Sequence, residues 1–353
     1  MRDDDRTPRG RATCTNPANR YHGTRVSPED DGWSAEERVP LRTRVAIDAA
    51  RKAISYNDSP DIPFDRSVNP YRGCEHGCIY CYARPTHAWL DLSPGLDFES
   101  RLFARPALPT LLRQELAAPG YAPAPLAISG VTDAYQPIER EHRITRRILE
   151  VLLAFRHPVM LITKSALIER DIDLLGELAA SELVEVSVSL TTLDRRLARV
   201  LEPRAAAPHR RLQVIERLAA AGIPVRAMLA PIIPVLNEAE IERLLADARD
   251  AGASNAGYIL LRLPLEVAPL FRDWLQRHFP GQAAHVMSHV RDTRAGRDND
   301  GQFGRRLRGT GHYAAMIEQR FRLAVRRLGL DVDTSLRCDL FEAPDTVRQM
   351  SLF

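Results

Sequence analysis

The stretch Cys74-Glu-His-Gly-Cys78-Ile-Tyr-Cys81 places three thiols in a CxxxCxxC spacing within eight residues. Thiolates this close together in sequence converge on one metal centre. A structural zinc site takes four protein ligands, and the other two cysteines, Cys14 and Cys338, are isolated. A cluster held by three cysteines leaves one iron free to bind a cofactor or a substrate. The spacing therefore predicts an iron–sulfur centre, and a zinc knuckle or a chance spacing is the alternative.

An aromatic residue, Tyr80, precedes the third cysteine, and this pattern is typical of the radical S-adenosylmethionine (SAM) enzymes. The wider string Asn-Pro-Tyr-Arg-Gly-Cys-Glu-His-Gly-Cys-Ile-Tyr-Cys-Tyr-Ala-Arg at 69–84 resembles the cluster loop of the family related to spore photoproduct lyase, the DNA repair photolyase-like radical SAM proteins. The resemblance extends from about residue 59 to the C-terminus. It implies an enzyme that binds a 4Fe-4S cluster through Cys74, Cys78 and Cys81 and cleaves SAM to a 5′-deoxyadenosyl radical.

The same resemblance implies a set of SAM-binding residues at the ends of successive strands. Tyr80 is expected near the adenine, and the segment after the second strand is expected against the methionine amine, where Gly130 permits close approach and Asp133 balances the ammonium. A simple turn is the alternative for that segment, and packing against the cluster pocket is the alternative for Ser189. An ion pair with each other is the alternative for Glu202 and Arg211. The full set of expected cofactor-binding residues is Tyr80, Gly130, Thr132, Asp133, Lys164, Ser189, Glu202 and Arg211.

One departure from the family pattern concerns the hydrogen donor. The lyase carries a cysteine in the segment matching 129–133, and its thiol returns hydrogen to the product radical. This chain has Gly130 there and no cysteine nearby. Cys338 is the remaining candidate catalytic thiol, and a small buried residue is the alternative interpretation. Reversal of a pyrimidine dimer therefore does not follow from the resemblance.

Composition limits the class of protein. The chain has 353 residues, 44% hydrophobic content and a net charge of +3, with five cysteines. The odd cysteine count and the committed triad favour a reducing cytoplasm over a disulfide framework. No apolar run approaches the roughly 20 residues of a membrane-spanning helix, and the N-terminus lacks a signal-peptide pattern. We expect a cytoplasmic protein without a membrane partner.

The apolar periodicity predicts the fold and its division. From 126 to 278 short apolar strands alternate with amphipathic helices, as in a parallel sheet flanked by helices. Six strands, the first at 68–72, predict an α/β fold with a partial (β/α)6 TIM-like barrel, which the resemblance also implies. Polar residues at the carboxyl ends of the strands then define the active face. The predicted organisation is a disordered leader at 1–40, a radical SAM core with the segment leading into it at 41–285, and a C-terminal extension at 286–353.

The extension contains two candidate binding segments. The Arg- and Gly-rich stretch 291–311 predicts a long loop, either a polyanion surface or solvated charge. The last five residues, Gln349-Met-Ser-Leu-Phe353, resemble the peptide by which bacterial repair proteins dock on the replicative sliding clamp, with Gln349, Leu352 and Phe353 as anchors. Docking of the tail on the barrel is the alternative.

Three functions remain open at this point. The first is a lyase-like radical SAM enzyme acting on nucleic acid, as in DNA repair, with flavodoxin or ferredoxin as electron donor. The second is radical modification of RNA, a peptide or a small molecule. The third is a non-catalytic protein that binds a metal through its cysteines.

Overall fold

The computed structural model describes residues 8–21 and 41–344. Strands and helices alternate along most of this length. The strands are β1 (Arg44–Ile47), β2 (Ser55–Tyr56), β3 (Arg66–Val68), β4 (Tyr71–Arg72), β5 (Arg101–Ala104), β6 (Leu126–Ile128), β7 (Val159–Thr163), β8 (Val184–Ser189), β9 (Val225–Ile232) and β10 (Asn255–Leu260). The helices are α1 (Leu96–Ser100), α2 (Leu108–Leu116), α3 (Glu139–His142), α4 (Ile144–Ala154), α5 (Ile172–Ala179), α6 (Arg195–Leu201), α7 (Pro208–Ala220), α8 (Ile241–Asp250), α9 (Val267–His278), α10 (Ala283–Asp292) and α11 (Gly311–Leu328). Within the described ranges, no helix is long and apolar enough to cross a membrane.

A seven-stranded sheet forms the centre of the fold, in the order β10-β9-β8-β7-β6-β3-β2. Six of these strands are parallel, and β2 is antiparallel to β3. In the described part of the chain β2 and β10 do not pair with each other, so the barrel is partial. The predicted α/β fold with a partial (β/α)6 barrel is confirmed.

The sheet is covered by helices, which explains the apolar runs in its strands. All six residues of β8 are buried, as expected for a central parallel strand with both faces covered. In α8 the buried residues are Ile241, Leu244, Leu245 and Ala248. Their helical spacing places one apolar stripe against the sheet.

A small second sheet, in the order β1-β5-β4, lies beside the start of the barrel. The predicted first strand at 68–72 is in fact divided between two sheets, because β3 ends at Val68 and β4 begins at Tyr71. Pro70 lies between them and has no N–H to donate to a ladder, which favours a break there. The division turns the chain so that the cysteine segment starts directly after β4.

Residues 8–21 are predicted to belong to a disordered leader, but they pack against the part of the chain that follows the cysteines. The backbone N–H groups of Ala12 and Thr13 donate to the carboxylate of Glu99 at 3.1 and 3.3 Å. Asn19 donates to the carbonyl of Ala88 at 2.9 Å. These buried contacts satisfy polar groups on both sides, so this part of the leader is packed. Residues 1–7 and 22–40 lie outside the described residues.

The C-terminal part continues the same fold. The predicted boundary at 285/286 falls inside α10. The ring of Phe321 in α11 lies 4.6 Å from that of Tyr258 in β10. The segment between α10 and α11 runs along β10, where the N–H of Leu260 donates to Leu307 at 2.9 Å.

Candidate active site

The three thiols lie in the loop that follows β4, which we call the cluster loop (residues 73–84). Cys74 and Cys78 are buried and Cys81 is half-buried. The N–H of Cys81 donates to the carbonyl of Cys78 at 3.2 Å, so the chain turns back on itself between them. Burial, together with the charges of Glu202 and of the two other thiols, raises the pKa of Cys78. Thiols that destabilise one another's ionised form in this way are suited to a shared cationic centre, which stabilises all three thiolates.

Two glycines give the cluster loop its shape. Gly73 and Gly77 have φ values of 74° and 63°, which is the left-handed region that glycine adopts without a steric penalty. A Cβ atom on Gly77 would lie 2.7 Å from the carboxylate of Glu99. The loop can therefore wrap tightly round the carboxylate only with glycine at this position.

A buried ion pair holds the back of the cluster loop. Arg84 and Glu99 are both fully buried, and Arg84 Nη2 lies 2.6 Å from Glu99 Oε1. The same guanidinium donates to the carbonyls of Gly77 and Cys78, each at 3.0 Å. Because these carbonyls belong to the loop between the cysteines, Arg84 fixes the path of the backbone that carries the thiols.

Residues after β6 hold the front of the loop. Gln136 Nε2 donates to the carbonyl of Gly73 at 3.1 Å, and its Oε1 accepts from the N–H of Glu75 at 2.9 Å. Thr132 Oγ1 donates to the same Gly73 carbonyl at 2.8 Å. Gln136 is completely buried and was not singled out in the sequence, since a lone glutamine carries no spacing signal. Thr132, expected to bind SAM, instead contacts the cluster loop.

The donor geometry fits a cluster better than a single ion. Within residues 8–21 and 41–344, no three His, Cys, Asp or Glu side chains converge closely enough to hold one metal ion. A mononuclear zinc knuckle requires such convergence. A cubane cluster does not, because each cysteine binds a different iron atom. Three thiols that need not meet at one point therefore fit a cluster with three protein ligands.

A polar network lies beside the thiols, at the carboxyl ends of β7 and β8. Tyr80 donates through its hydroxyl to Glu202 Oε1, which also accepts from Thr191 Oγ1 at 2.8 Å. Lys164 Nζ donates to Ser189 Oγ at 2.8 Å and lies 3.9 Å from Glu202 Oε1. The ammonium also lies 5.9 Å from the centre of the Tyr80 ring. Five residues predicted from separate segments therefore meet here: Tyr80, Lys164, Ser189, Glu202 and Arg211.

Glu202 and Arg211 form a buried ion pair at the base of this network. Arg211 Nη2 donates to Glu202 Oε2, and the guanidinium also donates to the carbonyls of Ala206 at 2.7 Å and Ser189 at 3.0 Å. Burial alone would raise the pKa of Glu202, but Arg211 and Lys164 outweigh it and lower this pKa to about 2. Glu202 is therefore ionised at neutral pH. The alternative that these two residues pair with each other is the one seen in the structure.

Asp133 joins the cluster loop to β7. Its Oδ1 accepts from Thr163 Oγ1 at 2.8 Å, and its Oδ2 accepts from the N–H of Lys164 at 2.8 Å and lies 3.2 Å from His76 Nδ1. The Asp133 carboxylate is thus hydrogen-bonded within the protein, whereas the sequence predicts that it balances the SAM ammonium.

Gly130 is not in the left-handed region; Ser129 takes that conformation instead, with φ of 85°. A Cβ on Gly130 would meet nothing closer than 3.8 Å.

Cys338 lies far from the cluster loop, at the amino ends of the strands. The N–H of its neighbour Arg337 donates to the carbonyl of Glu182, just before β8, at 3.0 Å. The N–H of Glu342 donates to Phe155, which precedes β7, at 3.1 Å. The thiols of the triad follow β4 at the opposite end. Cys338 thus lies away from the cluster loop, a position that does not favour its prediction as a catalytic thiol.

Two arginines of the Arg-rich stretch bind other parts of the protein. Arg294 is completely buried and donates to four backbone carbonyls, those of Leu260 and Leu261 among them, at 3.0 and 2.7 Å. Arg306 pairs with Asp61 at 2.5 Å. Burial of the aliphatic parts of these side chains and the alignment of their donors hold the loop in place.

The predicted sliding-clamp residues Gln349, Leu352 and Phe353 lie outside the described residues.

Residues 68–248 match the family model described as the radical SAM superfamily. This region contains the triad and the strands that carry the polar network, and it covers more than half of the chain. The protein belongs to the radical SAM superfamily, a family that uses a 4Fe-4S cluster and SAM.

Two of its sequence relatives come from different organisms. An uncharacterized protein of Mycobacterium tuberculosis is 36% identical over 221 residues, covering 62% of this chain and 65% of the relative. An uncharacterized protein of Methanocaldococcus jannaschii is 27% identical over 231 residues, covering 65% and 82%. The match to the mycobacterial relative thus spans just under two thirds of that protein's length.

Solved structures of spore photoproduct lyase have a similar fold. A mutant of that enzyme superposes with a TM-score of 0.60 at 15% identity, covering 83% of this chain and 82% of the lyase. The complex of the lyase with the dinucleoside spore photoproduct gives a TM-score of 0.58 at 16% identity, covering 80% and 79%. At this level of identity the similarity establishes a common fold.

Proposed function

We propose that this protein is a radical SAM enzyme that acts on nucleic acid, in the manner of DNA repair. The observation that carries the proposal is the meeting of Cys74, Cys78 and Cys81 with the Tyr80–Glu202–Lys164 network at the carboxyl end of the parallel sheet. Active sites of barrels lie at that end. When bound, the cluster and SAM supply a one-electron reductive cleavage of a carbon–sulfur bond and hence a hydrogen-abstracting radical.

The residues of the chain take three roles in this proposal. The three cysteines hold the cluster, while Arg84 and Gln136 hold the loop that carries them. Lys164 presents an ammonium to the carboxylate of SAM; its hydrogen bond to Ser189 Oγ and its position 3.9 Å from Glu202 Oε1 support this, because the two contacts orient the ammonium. Tyr80 packs near the adenine, with its hydroxyl held by Glu202.

Nucleic acid as the substrate has two sources of support. The first is the fold shared with spore photoproduct lyase, which has been solved with a dinucleoside lesion. The second is local chemistry: beside the cluster loop, arginine side chains lie over aromatic rings, as at Tyr82 and Phe303. Aromatic platforms with guanidinium groups are the usual means of holding unpaired bases and their phosphates.

The test is anaerobic reconstitution of the full chain, followed by incubation with SAM, a reductant and DNA carrying defined lesions. The expected results are about four irons per chain, formation of 5′-deoxyadenosine, and a mass change in a lesion-bearing strand that requires SAM. Formation of 5′-deoxyadenosine without any change in DNA, but with change in a peptide or a small molecule, would contradict the nucleic-acid assignment and leave the enzyme class standing.

A further inference from the structure

We propose that Arg262 and Tyr82 form a subsite for one nucleotide of the substrate. In this subsite the guanidinium binds the phosphodiester and the phenol ring stacks on the base. The inference rests on the proposed function, because it assumes a nucleic-acid substrate, and it adds the residues that recognise it.

The two side chains meet at the mouth of the partial barrel. Tyr82 directly follows Cys81 in the cluster loop, and Arg262 lies two residues beyond the end of β10 at Leu260. The guanidinium carbon of Arg262 lies 5.4 Å from the centre of the Tyr82 ring. The Tyr82 hydroxyl donates to the carbonyl of Gly130, after β6. The ring therefore extends between the carboxyl ends of β6 and β10, next to a cluster cysteine.

Tyr82 is both enclosed and accessible. The residue is 48% exposed, while the guanidinium of Arg262 lies over its ring and its hydroxyl is held by the carbonyl of Gly130. The ring is thus fixed by the protein on two sides, and part of its surface is open to a ligand. Its hydroxyl is already bonded, so the open surface is the aromatic ring itself. Such a ring offers a stacking platform that accepts any base.

Arg262 has no polar partner in the described part of the chain. Its Nε is buried and makes no hydrogen bond there, and within residues 8–21 and 41–344 no carboxylate lies within ion-pair distance of its guanidinium. The nearby acid Asp61 already accepts from Arg306 and from the N–H of Gly304. A half-buried guanidinium without an acceptor is costly, and a phosphate oxygen would satisfy it.

The neighbouring arginines have polar partners. Both terminal nitrogens of Arg294 donate to backbone carbonyls, although its Nε, like that of Arg262, makes no hydrogen bond in the described residues. Arg306 pairs with Asp61 and lies over the exposed ring of Phe303 at 4.6 Å. Among these three arginines, Arg262 is the one whose guanidinium makes no hydrogen bond within residues 8–21 and 41–344. Burial and then the charge of Arg306 lower the pKa of Arg262, and a bound anion would relieve both effects. Two arginine–aromatic pairs side by side match a strand of alternating phosphates and bases better than a single carboxylate.

The experiment measures binding of two probes to the reconstituted full-length protein by fluorescence anisotropy. The probes are a short fluorescein-labelled oligothymidylate and an abasic strand of the same length. The variants are Arg262→Gln, Arg262→Lys and Tyr82→Leu, and the matched charge-loss control is Arg243→Gln, whose side chain is 77% exposed on α8. Affinity for SAM and iron content are measured for every variant, so that a misfolded protein or an emptied cofactor site is recognised.

The subsite predicts different effects on the two probes. Arg262→Gln should weaken both about tenfold and reduce the salt slope by roughly 0.7, the value for one phosphate contact on a single strand. Arg262→Lys should keep the salt slope, since the charge remains. Tyr82→Leu should weaken the oligothymidylate about tenfold and leave the abasic strand unchanged, because only base stacking is lost. Arg243→Gln should bind both probes as the native chain does.

Three results would overturn the inference. If Arg262→Gln binds both strands normally, Arg262 is no part of the surface. If it loses SAM affinity instead, Arg262 belongs to the cofactor site. If Tyr82→Leu weakens both strands equally, the ring does not stack on a base. A native protein that binds neither strand would contradict the proposed nucleic-acid function itself, which is a different outcome from native binding with unaffected variants.

Discussion

Arg84 Nη2 lies 2.6 Å from Glu99 Oε1, and both side chains are fully buried behind the cysteine triad. Glu99 also accepts from Ala12 and Thr13, so one carboxylate joins the cluster loop to the N-terminal segment. We predict that Glu99→Gln destabilises the protein by about 3–5 kcal/mol, because it leaves the Arg84 charge buried without its partner. Denaturant unfolding measures the free energy, and iron content after reconstitution reports on the loop.

The control for that prediction is Arg249→Gln. Arg249 pairs with Asp250 at 2.7 Å, and both side chains are exposed. Surface pairs contribute about 0–1 kcal/mol, so this variant should unfold and bind iron as the native chain does. Equal behaviour of the two variants would show that the buried pair does not hold the loop.

Replacement of Cys78 by Ala tests the metal ligands. One iron would lose its protein ligand, so we expect loss of the cluster and of 5′-deoxyadenosine formation. Cys338→Ala and Cys14→Ala are the matched controls, since neither thiol lies in the cluster loop, and both should retain the iron and the activity. Iron and sulfide analysis with the visible spectrum measures this. A Cys78→Ala protein that still forms 5′-deoxyadenosine would refute the assignment.

Lys164 is predicted to bind SAM. Lys164→Ala removes the ammonium that Ser189 and Glu202 orient, and we expect at least a tenfold weaker SAM affinity with unchanged iron content, because a charged hydrogen bond contributes about 1.5–3 kcal/mol. Lys52→Ala is the control; Lys52 is exposed and is the other of the two lysines in the chain. Titration calorimetry on the reconstituted proteins measures the SAM affinity of the two variants. Equal SAM affinity of the two variants would leave Lys164 a structural role alone.

Glu202 should make the free energy of unfolding depend on pH in the acid range. Its folded pKa is lowered to about 2 from a reference of 4.5, so its ionised form stabilises the fold above the unfolded pKa. That contribution is lost as the pH falls from about 4.5 toward 2. Comparison of native protein with Glu202→Gln should show a difference in unfolding free energy that shrinks by up to about 1.4 kcal/mol per pH unit in this window. A difference that stays constant between pH 5 and pH 3 would contradict this account of Glu202.

The C-terminal segment is proposed to bind a sliding clamp. A synthetic peptide of residues 345–353 should bind a purified bacterial clamp in the micromolar range. The peptide with Leu352→Ala and Phe353→Ala should not bind, because it lacks the two apolar anchors. Surface plasmon resonance measures the binding of the native and the substituted peptide, with a known clamp-binding peptide as the positive control. Absence of binding by the native peptide under those conditions excludes the clamp as a partner of this segment.

The sequence predicted the features that depend on local pattern. The spacing of the cysteines and the alternation of apolar strands with amphipathic helices were sufficient for the cluster loop and for six parallel strands. Family resemblance added Lys164, Ser189, Glu202 and Arg211, and the structure brings all four together beside Tyr80. The sequence offered an ion pair between Glu202 and Arg211 as an alternative, but it could not indicate that the pair is buried, because burial depends on helices distant in sequence.

Three expectations depended on contacts that no local pattern shows. Cys338 is a candidate as the remaining thiol, Asp133 comes from the resemblance to the lyase family, and the Arg-rich stretch is predicted as a loop that is either a polyanion surface or solvated charge. The structure places Cys338 at the opposite end of the sheet, engages Asp133 with Lys164, and buries Arg294 beneath backbone carbonyls.

The amino-acid sequence by itself determined the chemistry of the centre and the class of fold, since ligand spacing and hydrophobic periodicity act over a few residues. Tertiary structure alone decided which polar groups meet. The Tyr80–Glu202 bond joins residues 122 positions apart, the Arg11–Glu99 bond joins residues 88 apart, and Arg262 reaches Tyr82 from the far edge of the sheet. Contacts of this kind arise when parallel strands bring their carboxyl ends together, and no local pattern encodes the partner.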